Sequence, residues 1–249
     1  MKHTPRILLI AIISVLLLTT SCKQTTRVCL LDTIENVSGL KSTYQYDNND
    51  RLTQVNSYDV NGSLLVMYKL YYHKNGSIDH VDIVTGYNLI VERYQAVFNF
   101  NDQVGSVYYL FDEFGLSNPT SIGGHANIKY DASGEIDSCI RYNDANVIVQ
   151  AFDITYSNGN VIYTKDLITN TESFYTYDNH GGGRTALHAF YKLIMPYTPL
   201  ASINNCLTRE VYIGGLLDAS NNYVITYNND GLAETIDDDQ FMYTCMDRE

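Results

Sequence analysis

The sequence has no tryptophan and no Cys-x-x-Cys pair, and it has only 16 lysines and arginines against 28 aspartates and glutamates. Each shortage excludes something. Without Cys-x-x-Cys, zinc-ribbon and thioredoxin-type chemistry has no ligand or redox pair. An acidic surface repels phosphate backbones, which excludes nucleic acid as a partner. No apolar run is long enough to span a bilayer as a helix, because the longest, Ile7–Leu18, is too short. There is no Gly-x-Ser-x-Gly, no His-Glu-x-x-His, no P-loop, and no Gly-x-Gly-x-x-Gly after a strand. What is abundant is tyrosine, 22 residues, whose rings pack while their hydroxyls stay wet or bonded.

The first residues read as an export signal. Lys2 and Arg6 form a short positive segment, and Ile7–Leu18 has the length of a signal h-region. Leu18-Thr19-Thr20-Ser21-Cys22 follows, and it resembles the bacterial lipoprotein cleavage box. Its usual aliphatic residue falls at Thr19, with Leu18 one place early. The resemblance implies cleavage before Cys22, thioether-linked lipid on its sulfur, and acylation of the new amino terminus. Two or more acyl chains anchor stably where one binds marginally. Residues 1–21 are then the signal peptide, 22–35 a tether, and 36–249 a single domain. Without Lys2 and Arg6 the balance is 14 cations against 28 carboxylates, so the lipid and not surface charge holds the chain at a membrane. The expected location is the cell envelope, at the outer membrane.

Besides Cys22 there are Cys29, Cys139, Cys206 and Cys245. In an exported chain these permit disulfides, in any of three complete pairings, and they equally suit buried reduced thiols.

A phrase recurs through the chain: Tyr46-Asp47-Asn48-Asn49-Asp50, Tyr58-Asp59-Val60-Asn61-Gly62, Tyr72-His73-Lys74-Asn75-Gly76, Tyr130-Asp131-Ala132-Ser133-Gly134, Tyr142-Asn143-Asp144-Ala145-Asn146 and Tyr227-Asn228-Asn229-Asp230-Gly231. Tyr177-Asp178-Asn179-His180-Gly181 is a looser copy. Asp or Asn at the first turn position bonds the backbone two residues on, and a last residue that tolerates positive φ closes a type I turn with a bulge. Gly62, Gly76, Gly134 and Gly231 hold that last place. The tyrosine and the aliphatic residue after the glycine (Leu64, Ile78, Ile136) become cross-strand neighbours. The aspartates are therefore turn residues before they are catalytic candidates. After the turn, apolar residues fall at i and i+3, as at Ile136 and Cys139. A one-residue bulge in the second strand puts both on one face and points Cys139 into the core.

The segments between turns are rich in Val, Ile, Tyr and Phe and read as about fifteen strands. Thr185–Pro196 is the one helical stretch, apolar nearly all round and so expected to lie against the sheet. The fold class is all-β: one antiparallel meander curled into a barrel-like or half-barrel sheet, with a short helix near 185–195.

Three resemblances follow from these segments. "YQYDNNDRLTQV" resembles a YD repeat, and "YYHKNGSIDHV" resembles the Asn-Gly hairpins of MORN-type variants. Neither keeps a fixed period. The whole pattern of signal, irregular Tyr-Asp-x-x-Gly hairpins, late apolar interruption and closing pair "YVITYNNDGLAETI" is similar to Bacteroidetes-type envelope lipoproteins with a porin-like fold. That resemblance implies the curled antiparallel sheet and implies no activity. Glu92, Arg93, Gln95 and Asn99 put charges and amides on both strand faces, which a lipid-facing band does not tolerate.

Candidate chemistry is sparse. His73, His80, His125, His180 and His188 are scattered, the first and fourth at turn positions. Asp237-Asp238-Asp239 offers a calcium site or, more simply, a solvated loop. Asp32-Thr33-Ile34 resembles an acceptor triplet for O-glycosylation. The reading is a non-catalytic envelope lipoprotein with no cofactor, binding a glycan, a peptide or an envelope protein. The alternatives are a structural or assembly component, or a hydrolase with its site near the 185–195 helix. A deep pocket with converging carboxylates favours the enzyme; a flat aromatic patch favours binding.

Overall fold

The computed structural model describes residues 26–85, 89–99, 101–112, 119–181 and 188–248. Cys22 and the start of the helical stretch, 185–187, lie outside them. Among the described residues are 17 strands. They are β1 (Thr26–Asn36), β2 (Lys41–Tyr46), β3 (Leu52–Tyr58), β4 (Leu64–Tyr72), β5 (Ile78–Thr85), β6 (Ile90–Phe98), β7 (Val104–Phe111), β8 (Ser121–Tyr130) and β9 (Ile136–Asn143). Then come β10 (Ile148–Ser157), β11 (Asn160–Asp166), β12 (Thr171–Gly181), β13 (Asn204–Ile213), β14 (Leu216–Asn222), β15 (Ile225–Tyr227), β16 (Ala233–Ile236) and β17 (Asp239–Arg248). A helix, α1 (His188–Ile194), and a 3-10 turn, Pro199–Ala201, connect β12 to β13.

Antiparallel ladders join each strand to the next from β1 to β14. They do so again from β15 to β17, and β1 also pairs with β17. The product is one 17-stranded sheet, not closed into a barrel. The count is 17 against the expected fifteen or so, and the closing pair read in "YVITYNNDGLAETI" is β15 with β16.

The chain divides into two compact units. The small one, Met1–Cys29 with Thr244–Glu249, holds a disulfide between Cys29 and Cys245. The large one is Leu30–Tyr243. Residues 26–35, expected to belong to a tether, are strand instead. The reason lies in alternation: Leu31 and Thr33 are buried, and Thr33 pairs with Thr43. Thr33, the acceptor of the Asp32-Thr33-Ile34 triplet, is buried in the folded chain, while Asp32 is exposed.

The recurring phrase builds one kind of turn. Asp131 donates its N–H to Glu135 O (2.8 Å), and Gly134 donates to Asp131 O (3.2 Å). Asp131 Oδ1 accepts the N–H groups of Ser133 and Glu135 at 2.8 and 3.0 Å. Hydrogen bonds from the Ser133 hydroxyl and the Glu135 N–H hold the Asp131 carboxyl below its ordinary value. Gly134 has φ +86°, and Gly62, Gly76 and Gly231 have +79°, +89° and +75°. Asp50 and Asn146 hold the same place at +60° and +61°. Tyr58, Tyr72 and Tyr130 sit opposite Leu64, Ile78 and Ile136. The register slips by one residue just beyond, so Ile136 and Cys139 are both buried. After Phe98, Asn99 and Asp102 make the same two turn bonds, with phenylalanine in place of tyrosine opposite Val104. The looser copy does not: Tyr177 through Gly181 continues β12, with Gly181 opposite Asn204. It lacks the aliphatic residue after Gly181 that opens the second strand elsewhere.

The tyrosines explain their own recurrence. Tyr72 OH donates to Leu52 O (2.5 Å), Tyr130 OH to Val104 O (3.1 Å), and Tyr243 OH to Ala233 O (3.0 Å). Each acceptor stands at the bulge after an earlier turn, where the ladder leaves a carbonyl over. Burial pushes the Tyr72 and Tyr130 hydroxyls up to about 12, which keeps them protonated donors.

The core lies on one face of the sheet, along Leu31, Leu52, Val81, Val107, Ile136 and Val161. Phe190 and Leu193 of α1 are buried in it, and Tyr68 meets the Phe190 ring edge-on at 5.4 Å. The helix is thus the cover its apolar composition called for.

Candidate functional site

The cavity that the fold prepares most fully lies beside β13. The β13–β14 ladder ends at Thr208 opposite Asn222. One more backbone bond follows, Tyr223 N–H to Leu207 O at 2.8 Å, and then β15 finds its ladder partner in β16. Where the strands part there is a cavity of about 360 Å³. Pro199, Leu200, Ile236 and Tyr223 give it an apolar lining. Asn204, Asn205 and Cys206 form a wall, and Asp237, Asp238 and Asp239 stand along it. A second cavity of about 400 Å³ shares Leu200 and Asp239 with the first and extends to Lys41, Ser42 and Tyr58.

The wall is fixed from behind by side chains in place of a ladder. Asp178 accepts the Asn205 N–H (3.2 Å), the Asn205 amide (2.9 Å) and the Tyr227 hydroxyl. Asn160 and Asn204 exchange two bonds at 2.9 Å, and the Asn204 amide also donates to His180 O at 2.6 Å. Ser202 Oγ accepts from Val161 N–H and donates to Tyr177 OH, both at 2.9 Å, and Tyr177 OH donates on to Val161 O. The buried Ser202 therefore pins the 3-10 turn to β11 and β12. Burial, then its bond to Asp178, pushes the Tyr227 hydroxyl up to about 12. Burial also raises the Tyr223 hydroxyl above its ordinary value. Asp237 Oδ1 accepts Val224 N–H at 2.7 Å, and its own N–H bonds back to Val224 O at 2.8 Å, so the acidic triplet is a turn tied to the chain ahead of β15.

Of the other sequence-singled residues, Cys206 alone of the described cysteines and histidines lines this cavity. Cys139 is a free, buried thiol that burial pushes up to about 12. Cys206 is in no disulfide, lines the cavity and donates its thiol to Thr208 O at 3.2 Å. Cys29 and Cys245 form the disulfide. His73 and His80 flank one carboxylate, Asp79, at 3.2 and 2.8 Å. Burial opposes ionisation of Asp79, yet bonds from His80 and Gln95 hold it below the usual carboxylate value. Burial depresses His188 on α1, and Lys192, one turn on, bonds Glu135 at 3.1 Å. Sequence reasoning missed Asp178, read as a turn residue, and Tyr223; the absent aliphatic residue after Gly181 was the available signal.

An aromatic row does exist on the face opposite the core. Tyr71, His80, Gln95, Tyr108, His125 and Tyr142 are successive cross-strand neighbours over β4–β9. Tyr71 stacks on His80 at 4.3 Å, and His125 on Tyr142 at 4.6 Å. Rings stacked along the row spend their faces on one another, so the row stiffens the sheet and offers only edges outward. On the same strands Arg93 forks onto buried Asp82 at 2.6 and 3.0 Å.

No protein-family model and no curated protein matches this sequence. In fold the chain is similar to a porin-like protein of Bacteroides uniformis, with a TM-score of 0.50 and 12% identity over 88% of this chain and 98% of that one. A Tc holotoxin pore of Photorhabdus luminescens aligns with a TM-score of 0.33 and 13% identity, over 81% of this chain and 9% of that one. The first likeness shows a porin-like antiparallel β fold, and at 12% identity it carries the fold alone.

Proposed function

We propose that this chain is a non-catalytic lipoprotein of the cell envelope, held by lipid on Cys22, that binds a hydroxyl-rich ligand such as a glycan fragment beside β13. The observation that carries the reading is a cavity with an apolar lining, hydrogen-bond acceptors along it and a wall already fixed by side-chain bonds. Carboxylates at the wall want donors, and hydroxyl groups supply them; an anionic ligand meets repulsion. Tyr223 offers a ring for packing. The adjoining second cavity leaves room for more than one sugar unit. A non-catalytic role is favoured because Asp237 and Asp238 of the turn and Asp239 at the start of β17 are consecutive and do not flank a bond from two sides, as a glycosidase pair does.

The test is calorimetric titration of the purified full chain with neutral oligosaccharides. Saturable binding is expected, weakened about tenfold, or roughly 1.4 kcal/mol, by Tyr223→Ala and unchanged by Tyr71→Ala on the opposite face. No binding, or equal effects of the two variants, ends the reading. The anchor has its own test. Cells fed a clickable fatty acid label the wild type and not Cys22→Ala, and equal labelling of both removes the lipid.

A further inference from the structure

The two ends of the sheet are chemically different. At one end lie the turns β2–β3, β4–β5, β6–β7, β8–β9, β10–β11 and β15–β16, whose described residues are polar, charged, Gly or Ala except for the half-buried Leu232. At the other end the turns carry exposed aliphatic side chains. Val37 is 77% exposed in β1–β2, and Val60 59% in β3–β4. Val147 in β9–β10, Ile168 in β11–β12 and Leu216 in β13–β14 continue the series, the last 77% exposed. Leu89 and Ile122 are exposed at strand ends of the same side. Val97 and Ile203 are exposed toward the other end, at 45% and 37%, but the most exposed aliphatic turn residues gather at this rim, and a concentration of that kind marks an interaction surface. None of these residues belongs to the core, so folding does not require them to be apolar.

The charge of the rim selects the occupant. The described residues of these turns, with β16–β17, carry Asp59, Asp144, Asp237 and Asp238 and no lysine or arginine; at the strand ends beside them stand Asp166 and one cation, Lys41. A bilayer bearing anionic headgroups would be repelled. We infer that this rim docks a protein whose apolar surface is bordered by lysine or arginine. Apolar contact supplies the attraction, and charge complementarity sets orientation and rejects acidic partners.

The test places a photo-reactive amino acid at Leu216, or separately at Val60, in the full chain in its own cells, with Asn48 and Lys74 at the other end as controls. A discrete protein adduct is expected from both rim positions and not from the controls. The cross-linked peptide, sequenced by mass spectrometry, should contain lysine or arginine. Asp144→Lys should lower the yield several-fold, at unchanged thermal midpoint. Adducts to lipid, to a second copy of this chain or to an acidic segment would overturn the inference, as would equal yields from both ends or none from either. These outcomes do not depend on the cavity's ligand, so each reading fails separately.

Discussion

Tyr72 shows what the tyrosine before a turn contributes. Its ring packs against the core, and its hydroxyl reaches the carbonyl of Leu52 on β3, 20 residues back. A bulge places an extra residue in a strand without a ladder partner, and a buried carbonyl left so costs about 1–3 kcal/mol. The tyrosine of one hairpin thus completes the bulge of another. Tyr72→Phe keeps the ring and removes the donor. It is expected to lower unfolding free energy by about 1–2 kcal/mol. Tyr71→Phe, one residue away on the opposite face and 41% exposed, should change it little. Denaturant midpoints of the two variants decide; equal midpoints would mean the Leu52 carbonyl has another partner. The rule also explains the abundance of tyrosine over phenylalanine in this chain, since phenylalanine packs as well but cannot supply the bond.

The hairpin is the element in which the sequence is most legible. A first residue that bonds forward, a fourth that takes positive φ and an aliphatic residue after it fix the turn, the register and the bulge together, as Asp131, Gly134 and Ile136 do. Gly134 offers a clean test of this grammar. A Cβ built there meets only Gln103 Nε2 at 3.5 Å, so space is not limiting and the backbone angle is. Strain of that kind costs on the order of 1–3 kcal/mol for a β-branched residue, and Asn bears it more readily. Gly134→Val should lower the denaturation midpoint clearly more than Gly134→Asn. If both match the wild type, the turn grammar fails at this site; if both lose equally, contact with Gln103 and not φ is the cause. Where an element departs from the phrase, sequence reading loses it. Residues 26–35 carry no turn signal on their amino side and so read as a tether, and Tyr177 through Gly181 keeps the wording of a turn without its aliphatic close. The cavity beside β13 was not legible, because Asp178, Asn205 and Tyr227 meet from three strands and no local spacing records that.

At the scale of the molecule, what the sequence conveyed was an all-β chain of tyrosine hairpins with one helix laid on the core face. What it could not convey was the difference between the two ends of the sheet. Val37, Val60, Val147, Ile168 and Leu216 are each unremarkable in their own turn, and they form a rim only because antiparallel strands return every second turn to the same side. The pairing of β1 with β17 has a consequence in time. Nearly every other ladder joins strands that leave the ribosome within a few residues of each other and can form as the chain emerges. β1 meets β2 in that way, but its other edge stays bare until the last strand has been made, 216 residues later as counted between Cys29 and Cys245. Long-range pairing is the slow part of folding a β protein, since its chain entropy is lost before any contact repays it. In this protein the contact that arrives last is the one made covalent.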